Sequence, residues 1–275
     1  MRFLLLSTLI MFGFNSFAQI SKKKDIIYKA GSTSERHQLD VYYPENIKEK
    51  KDVIIYFHGG SWKGGKKDTY KFLGKRFAKK GFVIVIANYR LSPEVKYEAM
   101  ADDCTAAVNW VYDNIGEFGG DKNKITVSGH SAGGHLAAVI SMNSSYQDLQ
   151  SKIQKTILID PFGLDMHTYF NEYKNDYADG LKKNTFGYKS EEWKAASPLY
   201  SIKPDFKIPV LVLVGGKTFP TILQSTAVFH DRMKQAGNQS TLITIEGKKH
   251  IGMISQLFFK RNHTYDVMID FIRSK

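Results

Sequence analysis

Short, almost uninterrupted apolar runs recur along this chain and alternate with longer amphipathic stretches. The runs are HQLDVYYP, DVIIYFHGG, FVIVIANYR, KITVSG, KTILID, IPVLVLVGG and STLITIEG, starting at residues 37, 52, 82, 124, 155, 208 and 240. A strand that is apolar on both sides is buried on both faces, which is typical of a parallel sheet between two layers of helices. The pattern therefore predicts an α/β fold.

The amphipathic stretches predict helices over 66–81, 97–120, 131–142, 220–237 and 253–273. The stretch from about 162 to 207 has no strong periodicity, although Tyr169, Phe170, Tyr173 and Trp193 favour burial. A segment of this length in a compact domain is usually a binding or lid insertion. We therefore expect a small cap within a single domain over 19–275.

The first eighteen residues have the pattern of a secretory signal peptide. Arg2 precedes an apolar run over 3–14, and Ser16 and Ala18 are the small residues that a signal peptidase requires. The run is short for a membrane span of about 20 residues. We expect a mature chain that begins at Gln19, is periplasmic or secreted, and has no stable membrane insertion.

Composition excludes several classes of function. The formal charge is +12, but the lysines are spread along the chain without a nucleic-acid motif, so no nucleic-acid partner is expected. The single cysteine, Cys104, cannot form an internal disulfide. No histidine pair or carboxylate cluster has the spacing of metal ligands, so neither a metal nor another cofactor is predicted.

The motif GHSAG, residues 129–133, follows a predicted strand and opens a predicted helix. A nucleophile on such a sharp corner has unusual backbone angles, and glycines on both sides remove the side chains that would clash. The helix N-terminus also favours developing negative charge. This context makes Ser131 the candidate nucleophile.

Two further groups complete the candidate chemistry. HGGSW, residues 58–62, ends an apolar strand, and we assign the oxyanion hole to the backbone N–H groups of Gly60, Ser61 and Ala132. His58 lies too early in the chain to be the base and is interpreted as structural. His250 follows the last predicted strand, where the order of nucleophile, acid and histidine places the base.

The chain resembles the α/β-hydrolase superfamily, in the esterase branch that includes hormone-sensitive-lipase-like carboxylesterases, kynurenine formamidases and exported carbohydrate esterases. The resemblance is carried by HGGSW, ANYRLSPE, the long block from DDCTAAVNW to GHSAGGHLAA, SPLYSIKPDFKIPVLVLVGG and GKKHIGM. It implies a mainly parallel sheet of eight strands with helices on both faces. It also implies that about 162–207 is the cap over the site.

The resemblance fails at the triad acid. The family's acid follows the penultimate strand, where this chain has Thr218, and no Asp or Glu occurs between 206 and 230. Three alternatives remain open: Asp160 after the preceding strand, Glu246 before the histidine, or no acid at all. Asp160 is the candidate that we assign to the triad, and an Asp at position 218 is expected to restore the usual arrangement.

The sequence favours an exported serine hydrolase that cleaves a carboxylic ester through an acyl-enzyme. The expected substrate is a small acyl or aryl ester, with a carbohydrate among the candidate alcohols. The competing class is a weakly active or non-catalytic binding protein that keeps the fold and has lost the triad acid. The residue that separates the two hypotheses is Thr218.

Overall fold

The computed structural model describes residues 19–274, in which eight strands form one sheet in the order β1-β2-β4-β3-β5-β6-β7-β8. The strands are β1 (Ile20–Ile27), β2 (Gln38–Pro44), β3 (Lys51–Phe57), β4 (Val83–Ala87), β5 (Gly120–His130), β6 (Lys155–Ile159), β7 (Val210–Gly215) and β8 (Ser240–Ile245). β2 pairs antiparallel with both neighbours, and the pairs from β4 to β8 are parallel. The predicted α/β fold with a mainly parallel sheet is therefore confirmed.

Strand β1 is the element that the apolar pattern did not predict. Its sequence, ISKKKDII, is mostly exposed, and the ladder with β2 shifts register between Lys23 and Ile26, next to Asp25 at φ 57°. Lysines and a bulge on an edge strand discourage pairing with another chain. Lys22, Lys23 and Lys24, which are part of the dispersed positive charge of the chain, therefore lie on the free edge of the sheet.

The helices cover both faces of the sheet. They are α1 (Lys71–Lys79), α2 (Tyr97–Asn114), α3 (Ala132–Met142), α4 (Gln147–Gln150), α5 (Met166–Glu172), α6 (Asp176–Leu181), α7 (Ser190–Ala195), α8 (Pro220–Gln235), α9 (His250–Ser255) and α10 (His263–Arg273). Alternate β3 residues point to opposite faces: Val53, Ile55 and Phe57 join the core under α2, α3 and α8, and Ile54 and Tyr56 join the core under α1, α9 and α10.

The single helix predicted over 253–273 is wrong. The structure has α9, a 3₁₀ turn at Gln256–Phe258, and then α10. Asn262 accounts for the break, because its side-chain oxygen accepts a hydrogen bond from the Thr264 N–H at 2.8 Å and caps the new helix. Its amide nitrogen donates to the Gln256 carbonyl at 3.0 Å. The helix break also places His250 at the first residue of a separate short helix.

The segment 162–207 is built from α5, α6 and α7, with a π-helical turn at Lys182–Phe186 and a 3₁₀ turn at Pro198–Ser201. Its aromatic residues pack together, with the rings of Phe170 and Trp193 5.2 Å apart and both side chains buried. The segment connects β6 to β7 and lies over the edge where both strands end. The signal peptide predicted for residues 1–18 lies outside the described residues.

The described residues contain neither a candidate membrane span nor a candidate metal cluster. Between residues 19 and 274, every helix is too short or too polar to cross a bilayer. The same residues contain no group of three or more His, Cys, Asp or Glu side chains that could hold a metal ion.

Candidate active site

Ser131 lies on the sharp turn between β5 and α3, as its motif predicts. Its backbone has φ 55° and ψ −122°, and its N–H donates to the Ile159 carbonyl at 3.1 Å. A Cβ on Gly129 would lie 2.3 Å from the carbonyl carbon of Gly133, and one on Gly133 would lie 2.1 Å from the Phe57 oxygen. Only glycine fits at either position, so the turn holds Ser131 in a strained conformation above the sheet edge.

His250 joins Ser131 to Asp160. Its Nε2 lies 2.9 Å from the Ser131 Oγ, and its Nδ1 lies 2.6 Å from the Asp160 Oδ2. A carboxylate oxygen accepts hydrogen bonds, so Nδ1 carries the proton and Nε2 accepts from the serine hydroxyl. The arrangement holds the imidazole in the tautomer that can remove a proton from Ser131.

Asp160 follows β6 and is fully buried, at φ 45°. Its Oδ1 accepts from the Gly215 N–H at 2.8 Å, and its Oδ2 accepts from the Thr218 hydroxyl as well as from His250. Three donors therefore compensate a carboxylate that has no contact with water. Of the acids left open by the sequence, the structure brings Asp160 to His250, whereas the Glu246 side chain is exposed and lies beside Gly216.

Thr218 occupies the position where the resemblance places an acid. A turn after β7 holds it, because the Thr218 N–H donates to the Gly215 carbonyl at 3.1 Å. The N–H of Lys217 donates to the Lys248 carbonyl at 2.9 Å, which fixes the turn against the loop that carries His250. The turn therefore directs a hydroxyl, and not a carboxylate, at the centre of the site.

The predicted oxyanion hole lies on the turn after β3. Gly60, Ser61 and Trp62 have φ values of 135°, 53° and 58°, and a Cβ on Gly60 would lie 2.3 Å from the Gly64 oxygen. Within residues 19–274 the N–H groups of Gly60 and Ser61 have no hydrogen-bond acceptor. Ala132 is the first residue of α3, so its N–H has no partner inside the helix. The three donors predicted from sequence are thus free to bind an anion.

Two buried histidines hold this turn in place. The His58 Nδ1 donates to the Gly59 carbonyl at 2.9 Å, and the ring stacks 4.4 Å from that of Tyr89. The indole N–H of Trp62 donates to the His135 Nδ1 at 3.2 Å, so the His135 Nε2 carries the proton and donates to the Ala196 carbonyl in the cap at 2.7 Å. Burial lowers the pKa of both histidines to about 4 and keeps them neutral.

A third histidine, His130, supports the base. Its Nε2 donates to the His250 carbonyl at 3.1 Å, and the two rings lie 4.7 Å apart. Burial first, and the neighbouring His250 second, lower the pKa of His130 to about 4. A neutral ring at this place adds no positive charge beside the base. His130 lies beside the nucleophile in the GHSAG motif, but nothing in the local sequence indicates its contact with His250.

A cavity of about 580 Å³ opens directly over Ser131 and His250. Its walls are mainly aromatic, and the lining residues are Ser61, Trp62, Ser131, Phe162, Tyr169, Tyr173, Tyr177, Phe219, Pro220, Thr221, His250 and Ile251. The rings of Tyr169 and Tyr173 stack at 4.9 Å, and the ring of Phe219 lies 5.2 Å from that of His250. Among the residues that the structure describes, no Asp, Glu, Lys or Arg lines it, so the cavity favours an uncharged group.

The sequence indicated that Tyr169 and Tyr173 favour burial, but not that they line a cavity with Tyr177. Tyr169 lies in α5, Tyr173 follows that helix and Tyr177 lies in α6, so their spacing of four residues does not reflect one helical face. Phe219 and Ile251 stand beside residues of the site in the chain, but nothing in their local sequence indicates that they border a cavity. Their side chains are 52% and 66% exposed, which makes them the mouth of the cavity rather than its floor.

Residues 39–230 match the model of the BD-FAE family. Among curated relatives, the probable isoprenylcysteine alpha-carbonyl methylesterase ICME of Oryza sativa subsp. japonica is 27% identical over 267 residues. The alignment covers 92% of this chain but only 64% of the rice protein. The chain therefore spans less than two thirds of the length of that relative.

Solved structures share the fold. A truncated form of a carbohydrate esterase from gut microbiota is 20% identical, with a TM-score of 0.76 over 94% of this chain and 96% of that one. Thermogutta terrifontis esterase 2, phosphonylated by sarin, is 25% identical, with a TM-score of 0.72 over 94% and 97%. With the family match covering most of its length, the chain belongs to the BD-FAE family, in the esterase branch of the α/β-hydrolase superfamily.

Proposed function

We propose that this protein is a serine carboxylesterase that cleaves its substrate through an acyl-enzyme. The observation that carries the proposal is the continuous hydrogen-bonded series Ser131–His250–Asp160 at the floor of an aromatic cavity. In this mechanism Ser131 is the nucleophile, His250 is the base and then the acid, and Asp160 orients the imidazole.

The steps follow from the positions of the donors and acceptors. The His250 Nε2 takes the proton of Ser131 as its Oγ attacks the ester carbonyl, and the negative charge develops on the carbonyl oxygen. The N–H groups of Gly60, Ser61 and Ala132 stabilise that oxyanion, and loss of one such donor typically costs about 10²–10³ in kcat. His250 then protonates the departing alcohol, and water hydrolyses the acyl-enzyme by the same steps.

The cavity supports a small acyl or aryl ester as the substrate. Aromatic walls favour planar or short apolar groups, and the absence of charged side chains from the lining disfavours an ionic one. A second groove of about 180 Å³ shares Tyr169, Tyr173 and Thr221 with the cavity and adds the polar side chains of Asp165 and Gln224. Hydroxyl-rich alcohols, including a carbohydrate, fit this combination.

The binding-protein alternative depended on a missing acid. Because the Asp160 carboxylate lies 2.6 Å from the His250 Nδ1, the observation that favoured this alternative no longer holds. The hydrolase is therefore the function that the geometry supports best.

Export is a separate part of the proposal and rests on sequence alone. Residues 1–18 have the signal-peptide pattern, so we expect the protein recovered from the periplasm or the medium to begin at Gln19. Mass spectrometry of the N-terminal peptide measures this directly. An exported protein that still carries Met1 or the apolar run would contradict it.

The decisive test of the activity uses a fluorophosphonate probe together with p-nitrophenyl esters of increasing chain length. We expect labelling of Ser131, faster turnover of acetate and butyrate than of long-chain esters, and neither labelling nor turnover in Ser131→Ala. Esters of aromatic acids and acetylated sugars then separate the substrate classes. Unlabelled wild-type protein with an intact fold by circular dichroism would refute the hydrolase proposal.

A further inference from the structure

Thr218 contacts the triad carboxylate at the atom that holds the base. The Asp160 Oδ2 accepts two hydrogen bonds, one from the His250 Nδ1 at 2.6 Å and one from the Thr218 hydroxyl. Its other oxygen accepts from the Gly215 N–H at 2.8 Å. Gly215 and Thr218 therefore bind the two ends of the carboxylate from one turn.

This pair of contacts constrains the carboxylate in a way that neither achieves alone. Rotation about the Cβ–Cγ bond would move Oδ2 away from the imidazole, and the Gly215 N–H resists it at Oδ1. The Thr218 hydroxyl adds a second restraint at Oδ2, so both oxygens are held by the same turn. Asp160 is fully buried, so water does not replace a lost donor.

We infer that Thr218 is a positioning residue, which holds the Asp160 carboxylate on the His250 Nδ1 and thereby keeps the base in its reactive tautomer. The inference rests on the proposed function. It also gives a role to Thr218, the residue at which the chain departs from the family's arrangement. Because Asp160 supplies the negative charge of the triad, position 218 supplies a hydroxyl donor to that carboxylate.

The matched variants Thr218→Val and Thr218→Ser test the hydroxyl. Valine keeps the shape and the backbone N–H to Gly215 but removes the donor, and serine keeps the donor but loses the methyl group. We expect Val to lower kcat by about 10- to 100-fold with KM within about twofold, well below the ~10⁴-fold effect of losing the acid itself. We expect Ser to restore kcat to within about threefold of wild type.

A second matched pair, Thr218→Asp and Thr218→Asn, tests the charge. Asparagine can donate an amide hydrogen to Oδ2, whereas aspartate places a second carboxylate against the buried Asp160, where two like charges disfavour each other. We therefore expect Asn to keep more activity than Asp. This reverses the expectation from sequence alone that an Asp at 218 restores the usual arrangement.

A readout that needs no turnover separates this inference from the proposed function. The Nδ1 proton of a histidine bound to a carboxylate gives a downfield ¹H NMR signal, which is assigned here by its loss in Asp160→Asn. We expect the signal of the His250 Nδ1 proton in wild type and in Thr218→Ser. In Thr218→Val we expect this signal to shift, or to disappear because the proton exchanges with solvent. If no ester is hydrolysed, the proposed function fails and the signal still tests the positioning role. Wild-type kcat and an unshifted signal in Thr218→Val would overturn the inference.

Discussion

The protein contains a second set of Ser, His and Asp side chains at hydrogen-bond distance. Its serine and histidine lie between β1 and β2, and its aspartate lies in α2. The Ser32 Oγ lies 2.6 Å from the His37 Nδ1, and the His37 Nε2 lies 3.1 Å from the Asp103 Oδ1. The two sets have the same residue types within hydrogen-bond distance, but the ring nitrogens are exchanged, because the serine contacts Nε2 of His250 and Nδ1 of His37. Their surroundings differ in charge, in backbone conformation and in access.

The charge around the two carboxylates differs most. Arg90 donates to Asp103 from its Nε at 2.7 Å and from its Nη2 at 2.8 Å, and the Lys29 ammonium lies 3.5 Å away. Burial raises the pKa of the Asp103 carboxyl, but the hydrogen bonds from Arg90 and the charges of His37 and Arg90 together outweigh this effect and hold the pKa below its ordinary value. Asp160 receives a backbone N–H, a hydroxyl and the imidazole, so its charge remains available to His250.

The two serines also differ in position. Ser131 stands on a strained turn at a helix N-terminus and lines the large cavity, whereas Ser32 ends a turn closed by its N–H to the Lys29 carbonyl at 3.1 Å. The Ser32 hydroxyl accepts from the Ser34 N–H at 3.1 Å. A carboxylate bound by His250 and neutral donors without an Arg or Lys partner, together with a cavity over the serine, therefore distinguishes the candidate hydrolase site from the second set.

The largest expected difference is between the kcat values of the two serine variants, Ser131→Ala and Ser32→Ala. Ser131→Ala removes the nucleophile and should lower kcat for p-nitrophenyl acetate by about 10⁴-fold or more. Ser32→Ala removes two hydrogen bonds of a loop, one with His37 and one from the Ser34 N–H, and should leave kcat within about twofold. Steady-state rates of the two purified variants measure this difference. A large loss of kcat in folded Ser32→Ala would show that the second set also contributes to catalysis.

The carboxylates should separate activity from stability. Asp160→Asn should lower kcat by about 10⁴-fold through the wrong imidazole tautomer, while the fold persists. Asp103→Asn leaves Arg90 without its partner, and we expect the free energy of unfolding to fall by about 3 kcal/mol, the low end for a buried ion pair because Arg90 is partly exposed. Its kcat per folded molecule should remain near wild type.

Glu246→Gln is the matched control for Asp160→Asn, since Glu246 was the other candidate acid and its side chain is exposed. We expect kcat within about twofold of wild type. Urea unfolding and ester hydrolysis on the same preparations give both quantities. Equal losses of activity in the Asp160 and Glu246 variants would remove the basis for assigning the acid.

The smallest expected effect is the pH dependence of the stability difference between wild type and Asp103→Asn. The folded-state pKa of Asp103 lies below its unfolded value of about 4, so its carboxylate stabilises the fold above that pH, and this contribution is lost as the pH falls through the folded value. The stability difference between wild type and Asp103→Asn should therefore narrow as pH falls from about 5 to about 2. Unfolding curves at several pH values measure it, and a constant difference would contradict the ion-pair account.

The titration of the buried histidines does not obscure this test. His58, His130 and His135 have pKa values of about 4 in the folded protein, below the ordinary value of about 6.5, because burial disfavours their charged forms. The unfolded chain binds protons first as pH falls, so stability decreases between about 6.5 and 4. The decrease is common to wild type and variant and cancels in their difference.

The sequence predicted most of the sheet because seven strands are apolar enough to stand out. It did not predict β1, because Ile20 and Ile26 contact the two cores but the residues between them are mostly exposed, so ISKKKDII resembles a solvated loop. The prediction of one long C-terminal helix was wrong for a local reason, because Asn262 caps a new helix inside an otherwise amphipathic run.

At the site, glycine-rich turns indicated Ser131 and the oxyanion donors, and chain order indicated His250, whereas the acid was left open among three alternatives. Glycines around Ser131 and Gly60 indicate backbone conformations that few other residues adopt, so these positions stand out in the sequence. The meeting of Asp160, Thr218 and His250 depends on how three strand ends align, and no local pattern encodes it. For the same reason, the Ser32, His37 and Asp103 set was not identified.

The link from Trp62 through His135 to Ala196 has a kinetic consequence. One neutral imidazole binds both the turn that carries the oxyanion donors and the backbone of the cap. Moving the cap outward would break this link and release the turn, so a hinged opening would disorganise the donors at each turnover. The mouth of the cavity beside Phe219 and Ile251 offers a route for substrate and product that leaves the cap in place, so we expect ester hydrolysis without a lipid–water interface.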